Sequence, residues 1–378
     1  MAKKISKSKS YADDQKTIHA IKDAALAIHQ SILKKKAPSM SLPVRALSNV
    51  KYDKSAGFLE IGKKTKKRTL SVNTVKTFAQ TLKMMALSKE LIEADDFATK
   101  RDAYYQSKNW QDARFLDQTE SDTVMDDIEA MFAVSGVSRE QLRFIPDQHG
   151  GAVAGELTVI DYNLESGERV EIDCTKFGSG AYAVPSWVEH LDFKTKAKFI
   201  LCIETQGMFQ RLQSHNYWRS ANCILISMGG VPTRACRRFV RRLSESGKIP
   251  VYAFTDCDPY GIGNIYRTLK VGSGNAAHIN RFFCVPNVKY LGLTPDDIED
   301  YDLKKATHPL EEQDKKRAHD ALKNDPFFQA HKEWQQAFKK LLKMEVRAEQ
   351  QALSLHGLNF VIEEYLPKKL KNPKDFLP

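Results

Sequence analysis

Three features that would assign the chain to a large class of proteins are missing from its sequence. The six cysteines are scattered without a Cys-x-x-Cys pair, which excludes a zinc ribbon or a disulfide scaffold and predicts reduced, buried thiols in an intracellular protein. No apolar run approaches the roughly 18 residues that a membrane span needs. The phosphate loop Gly-x-x-x-x-Gly-Lys-Ser/Thr is also absent, so we expect the chain not to bind ATP productively by itself.

Positive charge is in excess. The 378 residues include 58 lysines and arginines against 47 aspartates and glutamates, a formal net charge of +11. This excess favours a polyanionic partner, and nucleic acid before a membrane. The length exceeds the usual size of one hydrophobic core, which predicts two domains. The lysine-rich segment 1–36 has no apolar stretch behind it to make a secretory signal; it is either a solvated tail or an arm that contacts DNA without specificity.

The most informative residues are acidic and follow two apolar, strand-like runs. Residues 198–203 lead to Glu204, and residues 249–255 lead to Asp256 and Asp258. Such runs are typical of strands covered on both faces of a parallel sheet, where ligands bind at the carboxyl ends of the strands. One acidic residue there is more often a cap or a turn former. Two clusters of hard carboxylate oxygens suit Mg²⁺ bound together with substrate phosphates, so the sequence predicts a metal site that acts on phosphodiesters.

The order of helix and strand patterns predicts two modules. Three helical segments, which begin near residues 71, 99 and 119, precede two strand-like segments at 155–162 and 169–174. This order is typical of a winged helix-turn-helix, which lays a helix against duplex DNA. After a loop-rich linker, strands and helices alternate over residues 199–254, and this alternation predicts βαβ units with a parallel sheet.

Two basic segments are candidates for contacts to DNA. Residues 63–68 hold five cations in six positions, and they are either a phosphate-contacting flank of the winged helix or a solvated loop. The predicted helix 233–246 carries arginines on more than one face, which favours a DNA or partner surface over a single pair of salt bridges. These arginines are Arg234, Arg237, Arg238, Arg241 and Arg242.

A protein nucleophile is available in the segment 100–110. Arg101 and Tyr105 are four residues apart, so a helix places them on one face, whereas Tyr104 points about 100° away. A tyrosine hydroxyl, with a pKa of about 10, is a poor nucleophile until positive charge or a base assists it. Arg101 could supply that charge while it grips phosphate oxygens. Taken alone, however, an arginine and a tyrosine on one helix are more often structural than catalytic.

Several separated motifs together resemble one family, the A subunit of DNA topoisomerase VI and the related meiotic double-strand-break transesterase. The resemblance extends from about residue 57 to residue 303, with the motifs in the family's order. They are Arg-Asp-Ala-Tyr-Tyr at 101–105, Asp-Gln-Thr-Glu-Ser-Asp at 117–122, Ile-Glu-Thr at 203–205 with Met-Phe-Gln-Arg-Leu at 208–212, Gly-Gly-Val-Pro-Thr-Arg at 229–234, Asp-Cys-Asp-Pro-Tyr-Gly at 256–261 and Tyr-Leu-Gly-Leu-Thr-Pro at 290–295.

The resemblance implies a multidomain α/β architecture. It comprises a basic tail and amino-terminal helix over residues 1–56, a winged-helix domain of the catabolite-activator type over 57–185, and a Toprim α/β domain with a parallel sheet and a carboxy-terminal helical extension over 196–378.

The resemblance also implies roles for five residues. In the family the second tyrosine of the pair attacks the phosphodiester, which implies Tyr105 as nucleophile and Arg101 as its helper. The Toprim acid corresponds to Glu204, and the Asp-x-Asp pair to Asp256 and Asp258, which together would hold Mg²⁺.

The implied function is that of the DNA-cleaving and religating A subunit of an ATP-dependent type IIB topoisomerase, which forms a transient 5′-phosphotyrosyl double-strand break. Its implied partners are double-stranded DNA, a second copy of the chain and a separate GHKL-type ATPase B subunit that binds ATP and completes a heterotetramer, with no membrane involved. The expected location is an archaeal-type cytoplasm with the nucleoid, or a nucleus. A predicted amphipathic helix at residues 16–35 is a candidate docking surface for the B subunit, although packing within the chain is the commoner fate of such a helix.

Two other functions remain open at this point. A relative could break DNA for recombination without strand passage, or a noncatalytic winged-helix protein could bind DNA with a vestigial acidic cluster.

Overall fold

The computed structural model describes residues 9–146, 150–163 and 167–378. The lysines before residue 9 and the tip of the predicted turn, 164–166, lie outside the described residues. All six cysteines are buried as free thiols, as predicted. Across the ranges described, the helices are too short or too polar for any of them to cross a bilayer.

The chain begins with a long helix and two small antiparallel sheets. Helix α1 covers Lys9–Leu33 and starts earlier than predicted. Strand β1, Ser39–Pro43, pairs with β4, Thr65–Thr69, and β2, Val50–Asp53, pairs with β3, Phe58–Ile61.

Three helices follow, as predicted. They are α2, Val75–Ala94, α3, Lys100–Gln106, and α4, Gln118–Ala133, with the short parallel strands β5, Ala98–Thr99, and β6, Phe144–Ile145. Most of their buried apolar residues form one hydrophobic cluster that also includes Ile21 of α1. Ile28 of α1 packs in a second small cluster with Met40 and Phe78. The part of the amino-terminal helix that carries Ile21 and Ile28 therefore packs within the chain.

A strand-rich segment connects the helices to the large sheet. It contains β7, Ala152–Gly155, β8, Leu157–Tyr162, β9, Arg169–Asp173, β10, Tyr182–Ala183, and β11, Asp192–Thr195. The predicted hairpin is confirmed, since β8 pairs antiparallel with β9, and β11 pairs with the other edge of β8. Strands β7 and β10 instead join the large sheet. Strands before the predicted boundary at residue 185 thus pair with strands beyond it, and the boundary itself stays a prediction.

The large sheet has the parallel centre that the sequence predicts. It contains β12, Phe199–Ile203, β13, Cys223–Ser227, β14, Val251–Phe254, and β15, Lys289–Gly292, in the order β10-β7-β13-β12-β14-β15. The helices of this part are α5, Gln206–Ser214, α6, Tyr217–Ala221, α7, Arg234–Gly247, α8, Arg267–Lys270, and α9, Asn280–Phe283. Every residue of β12, β13 and β14 is buried. Alternate residues of β12 enter the hydrophobic clusters on opposite faces of the sheet, which explains the continuous apolar run.

The chain ends in a mostly helical extension. Its elements are α10, Pro295–Asp300, β16, His308–Pro309, α11, Glu312–Asn324, α12, Pro326–Ala330, α13, Lys332–Met344, β17, Val346–Arg347, and α14, Leu366–Leu370. Trp334 and Phe338 of α13 are fully buried against the sheet. Just beyond β17, Ala348 forms an antiparallel bridge with Cys257, so the extension returns to the carboxyl end of β14.

Four of the five arginines of α7 donate hydrogen bonds within the chain and the fifth, Arg237, is buried, so the predicted DNA or partner surface on this helix is wrong. Arg234 donates to Glu129 of α4 at 2.5 Å and to Glu140 at 3.1 Å, and both carboxylates are buried. Arg238 donates to Glu189 at 2.7 Å, and Arg242 donates to a backbone carbonyl. A guanidinium loses its hydration on burial, and carboxylates from distant parts of the chain compensate for that loss.

The pairing of Arg234 with Glu129 joins the helical part of the chain to the sheet. Burial alone would raise the pKa of Glu129, but the charge of Arg234, together with His278 and Arg139, holds it below its usual range. The contact therefore keeps a buried carboxylate ionised.

Replacing Arg234 by methionine should destabilise the fold by about 3–5 kcal/mol, because it leaves two buried carboxylates without their partner. Arg169→Met is the matched control, since Arg169 pairs with Glu171 at a site where both side chains are 47% exposed, and such pairs contribute little. Denaturant unfolding of both variants measures the difference. Equal losses would contradict the structural role of Arg234.

Candidate active site

Two of the predicted acidic residues lie side by side at the carboxyl edge of the large sheet. Strands β12 and β14 pair in register, with Ile203 beside Phe254, so the residues that follow them meet. The backbone N–H of Asp256 donates to Glu204 Oε2 at 2.9 Å. The two residues are 9% and 8% exposed. The fold therefore brings two carboxylates together in a place with little water.

Asp258 lies at the same edge, where a glycine leaves space between the acidic groups. Its Oδ1 accepts a hydrogen bond from the backbone N–H of Gly261 at 2.5 Å. A Cβ atom on residue 261 would lie 2.8 Å from the carbonyl oxygen of Asp256, 3.1 Å from Glu204 Oε2 and 3.3 Å from Asp258 Oδ1. Any larger residue would collide there, so Gly261 keeps open a small space lined by oxygen atoms.

The acidic groups destabilise one another's charged forms. Burial, together with the charges of Asp256, Asp258 and Glu349, raises the pKa of Glu204 to about 8. Burial also raises the pKa of Asp256 to about 6, against a hydrogen bond from the backbone of Gln350. The pKa of Asp258 is raised as well, mainly by burial. Such a cluster gains from a cation that neutralises it.

The donor chemistry and the space beside Gly261 fit Mg²⁺, which prefers hard oxygen ligands. In the ranges that the structure describes, however, no three His, Cys, Asp or Glu side chains are arranged around one point as ligands. Glu204, Asp256 and Asp258 each accept a hydrogen bond from a backbone N–H instead. The carboxylates are close together and held by the backbone, but they are not ordered as a coordination shell.

Two residues of this site were not predicted from the sequence. Gln350 lies 94 residues beyond Asp256, yet its backbone N–H donates to Asp256 Oδ1 at 2.8 Å. Glu349, beside it, adds negative charge to the cluster. Neither residue belongs to a recognisable motif, and the bridge between Cys257 and Ala348 that brings them to the site has no signal in the sequence.

Tyr105 is exposed on α3, and Arg101 lies on the same face of the helix, as predicted. Thr99 and Asp102 form a capping box that fixes the start of α3, and Ala103 anchors its buried side. The Tyr105 side chain is 56% exposed. The guanidinium carbon of Arg101 lies 5.9 Å from the centroid of the Tyr105 ring. The tyrosine is therefore accessible and lies beside a positive charge.

Tyr104 has a different environment. It is half-buried, its hydroxyl donates to the carbonyl oxygen of Leu116 at 3.4 Å, and Lys108 Nζ lies 4.1 Å from its ring centroid. The Tyr105 hydroxyl has no hydrogen-bond partner within the described part of the chain. Of the two adjacent tyrosines, only Tyr105 thus presents a free hydroxyl to solvent.

The structure does not bring the tyrosine and the acidic cluster together in one chain. Within residues 9–146, 150–163 and 167–378, no hydrogen bond, ion pair or ring contact joins Tyr105 or Arg101 to Glu204, Asp256 or Asp258. In a single chain, the two parts of the candidate site are therefore not in direct contact within the described ranges.

In the absence of divalent cations, Glu204→Gln should stabilise the protein at pH 8. Because folding raises the pKa of Glu204 from 4.5 to about 8, its favourable contribution to stability is complete below pH 4.5 and is lost as the pH rises through 8. Thermal unfolding in EDTA should show a midpoint higher by a few degrees for the variant at pH 8, and a smaller difference at pH 5. A lower midpoint for Glu204→Gln at pH 8 would contradict the conclusion that the ionised form of Glu204 is destabilised in the acidic cluster.

Three family models match consecutive parts of the chain. The model "Type IIB DNA topoisomerase" matches residues 76–143, and "All-beta domain in DNA topoisomerase VI alpha subunit" matches 147–197. The third model, the Toprim domain of Spo11 and of the topoisomerase 6 A subunit, matches 199–370. The first includes Tyr105, and the third includes the three predicted metal ligands.

Curated relatives named as the A subunit of type 2 DNA topoisomerase 6 are similar over nearly the whole chain. The protein of Methanocaldococcus jannaschii is 51% identical, with 94% of this chain and 95% of the relative covered. That of Pyrococcus abyssi is 36% identical, with 97% of each covered, and that of Halobacterium salinarum is 37% identical, with 88% and 90% covered. These names favour the topoisomerase over the recombination transesterase. The chain belongs to the family of type IIB DNA topoisomerases, as a topoisomerase VI A subunit with a Toprim domain.

Proposed function

We propose that this chain cleaves and rejoins double-stranded DNA through Tyr105, with Arg101 as its helper. The observation that carries the proposal is the exposed Tyr105, whose hydroxyl has no hydrogen-bond partner among the described residues, beside the charge of Arg101 on a capped helix. The Tyr105 oxygen attacks phosphorus and loses its proton, a 5′-phosphotyrosyl bond forms, and the 3′-oxygen departs and takes up a proton. Reversal of these steps rejoins the strand without a further source of energy. Arg101 stabilises the negative charge on the phosphate oxygens during the attack.

We infer that α2, α3 and α4 form the helical part of a winged-helix domain of the catabolite-activator type. Support comes from three helices with a shared core. Within the basic segment 63–68, Lys66 and Arg68 pair with Asp127 of α4. The other lysines of this segment, Lys63, Lys64 and Lys67, have no ion pair in the described part of the chain and lie on the surface, where duplex phosphates could reach them.

Glu204, Asp256 and Asp258 are the proposed ligands of Mg²⁺. Support comes from their shared edge of the sheet, the raised pKa values of all three side chains and the space beside Gly261. When bound, the ion would offset the charge that builds on the phosphate oxygens and on the departing 3′-oxygen. The carboxylates hold this positive charge at the sheet edge.

The active centre is proposed to form between two protomers, with Tyr105 of one opposite the carboxylates of the other. Support comes from the described residues of one chain, among which no hydrogen bond, ion pair or ring contact joins the two parts. A two-fold dimer then has two such centres and cuts both strands.

A GHKL-type ATPase B subunit supplies ATP hydrolysis and completes a heterotetramer. Leu26, Ile32 and Leu33 of α1 are exposed and form the proposed docking surface for it. The archaeal relatives favour an archaeal-type cytoplasm and association with the nucleoid.

Tyr105→Phe should abolish covalent attachment of the protein to DNA, because the attacking oxygen is removed. Tyr104→Phe is the matched control and should retain attachment, since it loses only the long hydrogen bond to Leu116. The measurement mixes each variant with plasmid, Mg²⁺, ATP and the ATPase subunit, denatures the sample and tests whether protein remains on the 5′ ends. Adducts formed by Tyr105→Phe at the wild-type level would exclude Tyr105 as the nucleophile.

Mixed dimers should show whether the active centre is shared between protomers. A dimer of one Tyr105→Phe chain and one Asp256→Asn chain has one intact centre if the centre is shared, because the intact tyrosine faces the intact carboxylates. It should therefore nick one strand of a plasmid, whereas each homodimeric variant should be inactive. Complete inactivity of the mixed dimer would instead place each tyrosine with the carboxylates of its own chain.

A further inference from the structure

We propose that Gln350 is a positioning residue that holds Asp256 in the orientation needed for Mg²⁺, an inference that rests on the proposed metal site. Gln350 reaches the sheet edge through the end of the β17 segment. The backbone N–H of Cys257 donates to the carbonyl of Ala348 at 2.8 Å, and the N–H of Ala348 donates to the carbonyl of Cys257 at 3.1 Å. This bridge places the next residues of the extension directly over the acidic cluster.

Gln350 is fully buried and contacts the ends of both strands that carry the acidic residues. Its amide nitrogen donates to the carbonyl oxygen of Phe254, at the end of β14, at 2.8 Å. Its amide oxygen accepts a hydrogen bond at 3.0 Å from the hydroxyl of Thr205, the residue after Glu204. The side chain therefore ties the loop after β12 to the end of β14, and both attachments are hydrogen bonds with good geometry.

This attachment places the backbone of Gln350 beside one carboxylate oxygen of Asp256. The backbone N–H of Gln350 donates to Asp256 Oδ1 at 2.8 Å, while Oδ2 has no hydrogen-bond partner among the residues that the structure describes. One oxygen is thus held by the protein, and the other is left for a ligand. Partners that orient ligand side chains in this way raise metal affinity, because less order has to be created when the ion binds.

Glutamine fits this role better than a charged residue would. A neutral amide donates to one strand end and accepts from the other, and it adds no further negative charge to a cluster that already repels itself. The next residue, Gln351, is the same residue type but is exposed, and it has no hydrogen bond to the acidic cluster in the described ranges. The chain therefore supplies its own matched control.

The test compares Gln350→Met with Gln351→Met, since methionine keeps the length of the side chain and removes the amide. The first readout is the Mg²⁺ concentration that gives half-maximal DNA cleavage by the complete complex with its ATPase subunit. The second is the Mg²⁺ concentration that gives half of the Mg²⁺-induced rise in the thermal unfolding midpoint of the isolated chain. Both concentrations should increase by about tenfold for Gln350→Met, as expected on loss of a group that orients a metal ligand, and should be unchanged for Gln351→Met. The rate of DNA cleavage by Gln350→Met at saturating Mg²⁺ should fall by much less than tenfold.

If Gln350 only stabilises the fold, the expected results for Gln350→Met are different. Gln350→Met would then lower the unfolding midpoint in EDTA but leave both half-saturating concentrations at the wild-type value, and this result would overturn the inference. If Gln350→Met does not fold, Gln350→Asn takes its place, because its amide is one methylene too short to reach both Thr205 and Phe254. The same shift is expected, and an unshifted Mg²⁺ response would again overturn the inference.

The wild-type protein separates this inference from the proposed function. Wild-type chain that shows neither Mg²⁺-dependent cleavage nor stabilisation by Mg²⁺ would contradict the metal site itself. Wild-type chain that shows both, next to a Gln350→Met variant with the same Mg²⁺ dependence, would contradict only the role of Gln350.

Discussion

The in-register pairing of β12 with β14 is the constraint on which the candidate site depends. It ends both strands at one level, so Glu204 and Asp256 meet although both carry negative charge. Two like charges in a poorly hydrated place repel one another, and only a rigid support keeps them together. Every residue of the two strands is buried, and hydrophobic clusters cover both faces of the sheet. The energy of burying that apolar surface offsets the local repulsion.

The structure separates the two groups of residues to which the proposed mechanism assigns strand cleavage. The exposed tyrosine lies on a short helix in the helical part of the chain, and the acidic cluster lies at the edge of the sheet. Each part is complete in its local structure: a capping box orients α3, and backbone N–H groups orient the carboxylates. Neither part can act on a phosphodiester alone in the proposed mechanism. In the proposed mechanism, a free chain therefore cannot cut DNA until a second copy aligns the two parts.

Much of this arrangement was predictable because its signals are local. The apolar runs before Glu204 and Asp256 identified buried strands, and the spacing of Arg101 and Tyr105 predicted their shared helical face. The failures involve contacts between distant residues. Arg234 finds Glu129 and Glu140 at separations of 105 and 94 residues, so its helix was wrongly predicted to be a free basic surface. Gln350 likewise depends on a bridge that only the tertiary fold creates.

The buried ion pairs of Arg234 have a consequence for the response of the protein to dissolved ions. Mobile counterions screen charges in contact with solvent, but they do not enter a packed interior. Glu129 and Glu140 are buried, whereas the lysines of the segment 63–68 are open to the surrounding solution. A rise in ionic strength should therefore weaken the binding of the protein to a nucleic acid. The ion pairs of Arg234, which join the helical part of the chain to the sheet, should stay intact. The stability of the fold and the affinity of the protein for nucleic acid therefore respond differently to ionic strength.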